Sequence, residues 1–110
     1  MPSIAPQYLD AKFAALAHPL RRQIMERLSV EALTLKELSD PYDISVPAVA
    51  KHVKILESCG LIQRGPRSST QPLSAVPSAL DEVADWLLKN RLFWTTSFDR
   101  LDAMLRWGDA

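Results

Sequence analysis

The chain has 110 residues, of which 47% are hydrophobic, so it can bury the core of one ordinary domain and is not a disordered polar tail. Its 13 Lys and Arg balance 13 Asp and Glu, which argues against the strongly basic profile of many nucleic-acid-binding proteins. A single cysteine excludes an intrachain disulfide framework, and no signal peptide or membrane-spanning run is evident. We therefore expect one cytoplasmic domain over residues 1–110.

Two helices are predicted in the first part of the chain. The first covers about Tyr8–Leu16 and has an apolar side that includes Phe13. The second opens at His18-Pro19 and continues to about Leu28. Its inward-facing residues are Leu20, Ile24, Met25 and Leu28.

Residues 33–62 follow the pattern of a helix-turn-helix. Thr34 and Glu37 form a capping box, which predicts a short helix over about 34–40, and Pro41 ends it. A tight connection to a longer helix follows. Such a unit is typical of proteins that place the second helix in the DNA major groove.

That longer helix is predicted from its cap, Ser45, to Cys59, and Gly60 ends it. Pro47 is compatible with the first turn, because amide groups there have no intrahelical partner. The inward face carries Val49, Val53, Leu56 and Cys59. The other faces carry Ala48, Lys51, Lys54 and, at the edge, His52.

A short β-hairpin is predicted after this helix. Its strands are Leu61–Arg64 and Pro72–Val76, joined by a tip over residues 65–71. Between residues 44 and 71, four Lys and Arg stand against Glu57 alone, which gives a net charge of +3. A modest positive patch is therefore expected on the helix-turn-helix.

The last predicted element is a long helix over about 77–107. Some 28 residues would give roughly 40 Å of helix, which exceeds what so small a core needs. Apolar residues recur along it at heptad spacing, which indicates a seam with a partner helix. The seam positions are Leu80, Ala84, Leu87, Arg91, Trp94, Phe98, Leu101 and Leu105.

Three segments together resemble the ArsR-type family of bacterial repressors: residues 17–22 (AHPLRR), 45–57 (SVPAVAKHVKILE) and 59–62 (CGLI). Residues 93–101 (FWTTSFDRL) resemble a metal-independent branch of that family. The resemblance implies a mainly α winged helix-turn-helix, with about five helices and a short β-hairpin wing. It also implies a homodimer joined through the first and last helices, with double-stranded DNA as the partner.

The resemblance also implies the residues of each surface. The expected DNA-binding residues are Arg21, Arg22, Ser45, Val46, Pro47, Ala50, Lys51, His52, Lys54 and the wing residue Arg67. The expected dimer interface consists of Tyr8, Phe13, Leu87, Arg91, Trp94, Phe98, Leu101 and Leu105. Two alternatives stay open: His52 is equally compatible with a half-buried structural role, and one of the two arginines could pair with Glu26.

We expect no metal site, because Cys59, His18 and His52 form no ligand cluster, and no cofactor or catalytic residues. The sequence thus predicts a homodimeric repressor that binds a near-palindromic operator through the helix at 45–59. Its inducer is unknown. The alternative is a dimeric winged-helix module for protein interaction with little DNA affinity, which the neutral charge, Ala50 and the single wing arginine favour.

Overall fold

The computed structural model describes residues 6–65 and 72–107, with side chains over 8–65 and 72–106. Its elements follow the predicted order and confirm the mainly α, winged helix-turn-helix class. They are α1 (Pro6–Leu16), α2 (Pro19–Val30), α3 (Leu35–Ser39), α4 (Val46–Ser58), β1 (Ile62–Arg64), β2 (Leu73–Ala75), a 3₁₀ turn (Pro77–Leu80) and α5 (Asp81–Trp107). The chain divides into two compact units, the first ending at Leu80 and the second formed by α5.

The first unit encloses one apolar core between its helices and the hairpin. The side chains of Ile24, Leu38, Val49, Val53, Leu56, Leu61 and Leu73 are fully buried there. They come from α2, α3, α4 and β2, together with Leu61 at the start of the wing, so packing of apolar side chains fixes the helix-turn-helix against the hairpin.

Local capping sets the bounds of α3. The Thr34 hydroxyl accepts a hydrogen bond from the Glu37 amide at 3.2 Å, and the Glu37 carboxylate accepts one from the Thr34 amide at 2.8 Å. This is the predicted capping box. The Thr34 bonds lower the pKa of Glu37. At the other end, the Arg27 guanidinium donates to the Leu38 carbonyl at 2.8 Å and thereby ties α2 to α3.

The end of α4 has the geometry of a Schellman motif. Gly60 has a φ of +79°, a left-handed conformation in which glycine carries no steric penalty. Its amide donates to the Glu57 carbonyl at 3.0 Å, and the Leu61 amide donates to the Leu56 carbonyl at 3.1 Å. Both leucines are buried, so the chain leaves α4 directly toward the wing.

The wing is a two-stranded antiparallel hairpin, in which Ile62 pairs with Ala75 and Arg64 with Leu73. A third segment joins it. Leu33, just before α3, exchanges two hydrogen bonds with Leu73, at 3.0 and 2.7 Å. The base of the wing is therefore tied to the start of the helix-turn-helix as well as to the end of α4.

The last helix begins later than predicted. Residues 77–80 form a 3₁₀ turn, in which the Ala79 amide donates to the Val76 carbonyl at 2.9 Å, and α5 starts at Asp81. The tighter i→i+3 bonding replaces the α-helical first turn that was expected from Ser78. In the described part of the chain, none of the helices has the length and apolar character that a membrane span requires.

Candidate nucleic-acid interface

The N-terminal half of α4 exposes the residues expected to meet DNA. The Ser45 hydroxyl caps the helix by accepting from the Ala48 amide at 3.3 Å, and Pro47 lies in the first turn. Val46 is 41% exposed, although it is apolar. The spacing of α4 places Pro47, Lys51 and Lys54 on the side opposite its buried valines.

Lys51 and Lys54 supply the cationic charge of this face. Both are exposed, and at i and i+3 they are neighbours on the helix surface. Ala50 lies half-buried at the edge of the same face. Two ammonium groups beside small side chains make a surface that can approach a phosphate backbone closely.

Arg64 does not add to the unpaired positive charge that Lys51 and Lys54 supply. Its Nε donates to Glu57 Oε2 at 2.8 Å and its Nη2 to Glu57 Oε1 at 2.6 Å, a bidentate pair between β1 and the end of α4. The hydrogen bonds from Arg64 lower the pKa of Glu57. The two charges cancel locally, so Lys51 and Lys54 carry the patch within the described part of residues 44–71.

The sequence reasoning missed this pair, although a signal for it exists. Glu57 precedes Gly60 by three residues, and Arg64 follows it by four. Because a left-handed glycine reverses the chain, opposite charges at such distances on either side of it can meet.

The two arginines at the start of α2 bind the end of α1. Arg21 donates from Nε to the Ala15 carbonyl at 2.6 Å and from Nη2 to the Ala14 carbonyl at 3.2 Å. Arg22 donates from Nη1 to the Leu16 carbonyl at 2.7 Å, not to Glu26. These cations thus satisfy carbonyl groups that have no partner within α1. Their predicted contacts with phosphates stay predictions, and Arg22 is the more exposed of the two.

His52 lies half-buried at the edge of α4 and has partners on α2. Its Nδ1 accepts from Arg21 Nη1 at 3.2 Å, and its ring centroid is 4.5 Å from that of His18. Burial, then the charges of His18 and Arg21, lower the pKa of His52. The structural alternative for His52 thus has direct contacts in its favour, and its contact with DNA stays a prediction.

The remaining predicted site residues belong to other elements of the chain than α4. Arg67 lies outside the described residues. On α1, Tyr8 is exposed and Phe13 half-buried, and on α5 every predicted interface residue is exposed. The exposed large apolar residues of α5 are Trp86, Leu87, Leu88, Leu92, Phe93, Trp94, Phe98, Leu101, Met104 and Leu105. A surface this apolar on one helix is typical of a protein interface.

Known proteins are similar to this chain in both sequence and fold. A family described as a helix-turn-helix domain matches residues 16–64. The chain is 33% identical over 86 residues to the HTH-type transcriptional regulator Rv2034 of Mycobacterium tuberculosis, and the match covers 78% of each protein. It is 25% identical over 76 residues to the transcriptional repressor SdpR of Bacillus subtilis, covering 69% of this chain and 84% of SdpR.

Solved structures agree with these matches. The crystal structure of the ArsR family transcriptional regulator RHA00566 has a TM-score of 0.76 and 30% identity, covering 86% of this chain and 97% of that one. An ArsR-like transcriptional regulator from Rhodococcus sp. RHA1 has the same fold, with a TM-score of 0.80 at 23% identity over 91% and 92% of the two chains.

The chain has a winged helix-turn-helix fold with an exposed cationic helix, and it shares sequence and fold with the transcriptional regulators just described. Together these findings define it as a DNA-binding transcriptional regulator. The chain belongs to the ArsR family of transcriptional regulators. The comparisons therefore favour the regulator over the protein-interaction module.

Proposed function

We propose that the protein is a homodimeric repressor whose two copies of α4 enter successive major grooves of a near-palindromic operator. The observation that carries this proposal is the exposed face of α4, where Lys51 and Lys54 stand beside small side chains. A two-fold dimer would present two such faces about one helical turn, ~10 bp, apart. Occupation of a promoter would then block transcription, as the name of the relative SdpR suggests for that protein.

Within α4, we assign direct contact with DNA to Val46, Pro47, Ala50, Lys51 and Lys54. The lysines would bind phosphates and the first turn would approach base edges, because the start of a recognition helix lies deepest in the groove. Val46, at 41% exposure, supplies an apolar surface of the kind that contacts a thymine methyl group. The Ser45 hydroxyl already caps the helix, which leaves one lone pair for a further donor.

Dimerisation is assigned to α5, together with α1, so that residues 1–110 act as one domain. Exposed Trp94 stacks against Phe98 with ring centroids 5.9 Å apart and meets Phe93 edge-on at 5.4 Å. Together these exposed rings form an apolar surface in the middle of α5. Burying it against a second copy would remove a large apolar area from water, the main driving force for association.

We further propose that regulation does not use a metal ion. The two histidines already have structural tasks: His18 Nδ1 accepts from the Leu20 amide at 3.1 Å, and His52 Nδ1 accepts from Arg21. Cys59, the single cysteine, packs against the core at the end of α4. A metal sensor needs ligands that are free to change partners.

Selection of bound fragments from fragmented genomic DNA tests the proposed function. Wild-type protein should enrich fragments that share two inverted half-sites one helical turn apart, and Lys51→Glu should enrich none while circular dichroism shows the wild-type helix content. Enrichment of the same fragments by Lys51→Glu would contradict the assignment of α4.

A further inference from the structure

One cluster of side chains joins three helices behind the exposed face of α4. Arg21 of α2 lies at its centre and makes three contacts: two with the carbonyl groups that end α1, and one with His52 of α4. His18, the cap of α2, places its ring against that of His52. The cluster therefore connects α4 to the ends of the two helices behind it.

The hydrogen bonds define the protonation of both rings. His18 Nδ1 accepts from the Leu20 amide, and His52 Nδ1 accepts from the Arg21 guanidinium, which has no acceptor of its own. Each Nδ1 must therefore carry a lone pair, and each neutral ring holds its proton on Nε2. A second proton on the His52 ring would turn its Nδ1 from an acceptor into a donor that faces the Arg21 guanidinium.

We propose that Arg21, His18 and His52 form a proton-sensitive positioning cluster, which holds α4 at the angle needed for DNA binding and releases it when the His52 ring gains a second proton. This inference rests on the proposed role of α4. Arg21 and His52 are positioning residues here, since they act through α4 and not by touching DNA.

The two side chains that the structure shows against the His52 ring, Arg21 and His18, carry no negative charge to offset an added proton. Burial is the largest cause that lowers its pKa, followed by the charges of His18, which caps α2, and of Arg21 on α2. From α1 the cluster receives carbonyl groups that are already bonded to Arg21. Of the acidic groups on α3 and at the end of α4, Glu37 is bonded to Thr34 and Glu57 to Arg64.

The sign of the pH dependence follows from these contacts. Because burial, and after it the electrostatic effects of His18 and Arg21, lower the pKa of His52 below 6.5, its neutral form stabilises the fold above that pH. This contribution is lost as the pH falls through the lowered pKa. DNA affinity should therefore fall on acidification. A histidine that donates to a phosphate predicts the opposite, because protonation would add a favourable charge. The sign separates the two roles.

The experiment measures fluorescence anisotropy between pH 7.5 and 5.5, using a labelled duplex of roughly 30 bp selected by the protein from a random pool. Wild-type affinity should fall about fivefold or more over this range. His52→Asn places an amide oxygen near the Nδ1 position and does not titrate. It should retain more affinity than His52→Ala at pH 7.5 and lose most of the pH dependence. His18 and His52 are the only histidines in the sequence, so the variant with both changed to Asn should show almost no pH dependence of DNA affinity.

The variant Arg21→Lys provides an independent test of the positioning cluster. Lysine keeps the charge but cannot reach three acceptors at once, so a positioning role predicts a loss of affinity, whereas a phosphate contact predicts that lysine suffices. Arg100→Lys on α5 is the control for the same exchange at an exposed site. Circular dichroism at each pH establishes that every variant is folded.

The outcomes separate this inference from the proposed function. Tighter binding on acidification, or full pH dependence in the double Asn variant, would overturn the inference while Lys51→Glu still abolishes binding. If Lys51→Glu binds like the wild type, the assignment of α4 itself fails. Loss of affinity in acid that both His52→Asn and the double variant abolish supports the cluster.

Discussion

The salt dependence of DNA binding tests the charge distribution of α4. Once Arg64 is paired with Glu57, Lys51 and Lys54 are the cations left on this face, so a dimer would bring four of them to the duplex. Counterion release then predicts that α4 contributes about 3.6 to the magnitude of the slope of log affinity against log salt. Lys51→Ala should lower that magnitude by about 1.8.

This difference is large enough to measure. Between 50 and 200 mM KCl, the four lysines together would account for a loss in affinity of about 150-fold, and the two that remain in Lys51→Ala for about 12-fold. Anisotropy titrations at four salt concentrations give both slopes. Lys89→Ala serves as the control, because Lys89 lies on α5 and pairs with Asp85 at 3.0 Å. An unchanged slope in Lys51→Ala would show that Lys51 meets no phosphate and would refute the reasoning.

Three further predictions concern assembly, the wing and the end of α4. Changing both Trp94 and Phe98 to Asp should convert the dimer into a monomer in sedimentation, because charge would replace apolar surface in the seam; a dimer of wild-type mass would place the interface elsewhere. Glu57→Gln should lower the free energy of unfolding by about 0.5 kcal/mol at pH 7, after solvent screening of this partly exposed pair. Because Arg64 lowers the pKa of Glu57, this stability difference between the wild type and Glu57→Gln should shrink as the pH falls below 4.5. Urea titrations that give the same difference between the two proteins at pH 7 and at pH 3 would contradict this. Gly60→Ala should cost about 1 kcal/mol by the same assay, from the left-handed backbone alone, since an added Cβ meets nothing within 4 Å; a cost near zero would mean that the turn adopts another conformation.

The elements that the sequence predicted well are those set by local signals. The capping box at Thr34, the cap at Ser45 and the glycine after α4 each act within four residues, and the structure has all three. The apolar periodicity of α4 likewise predicted its buried face, because side-chain direction in a helix depends only on spacing. The start of α5 was missed, since the choice between a 3₁₀ and an α-helical first turn at Pro77 has no comparably strong local signal.

The side-chain partners in the candidate site could not be predicted in this way. Arg21 and His52 are 31 residues apart, and their contact depends on how α2 packs against α4. The sequence left His52 between two roles because a polar residue at the edge of an apolar face is compatible with both. Net charge likewise gives the size of the patch but not its position. Arg64 and Glu57 already cancel within the +3, but which cation pairs with Glu57 is visible only once the chain has reversed at Gly60.

The attachment of the wing has a consequence for how regulators of this shape can diversify. Leu33 and Leu61 anchor the base of the hairpin through bonds to Leu73 and Val76, while the Gly65 amide reaches the Pro72 carbonyl at 3.2 Å. Residues inserted between 65 and 72 would lengthen the loop without altering any of these anchors, and loops tolerate such insertions at little cost in free energy. The length of the wing can therefore change in evolution, or by engineering, while the packing of α4 within the first unit stays as it is.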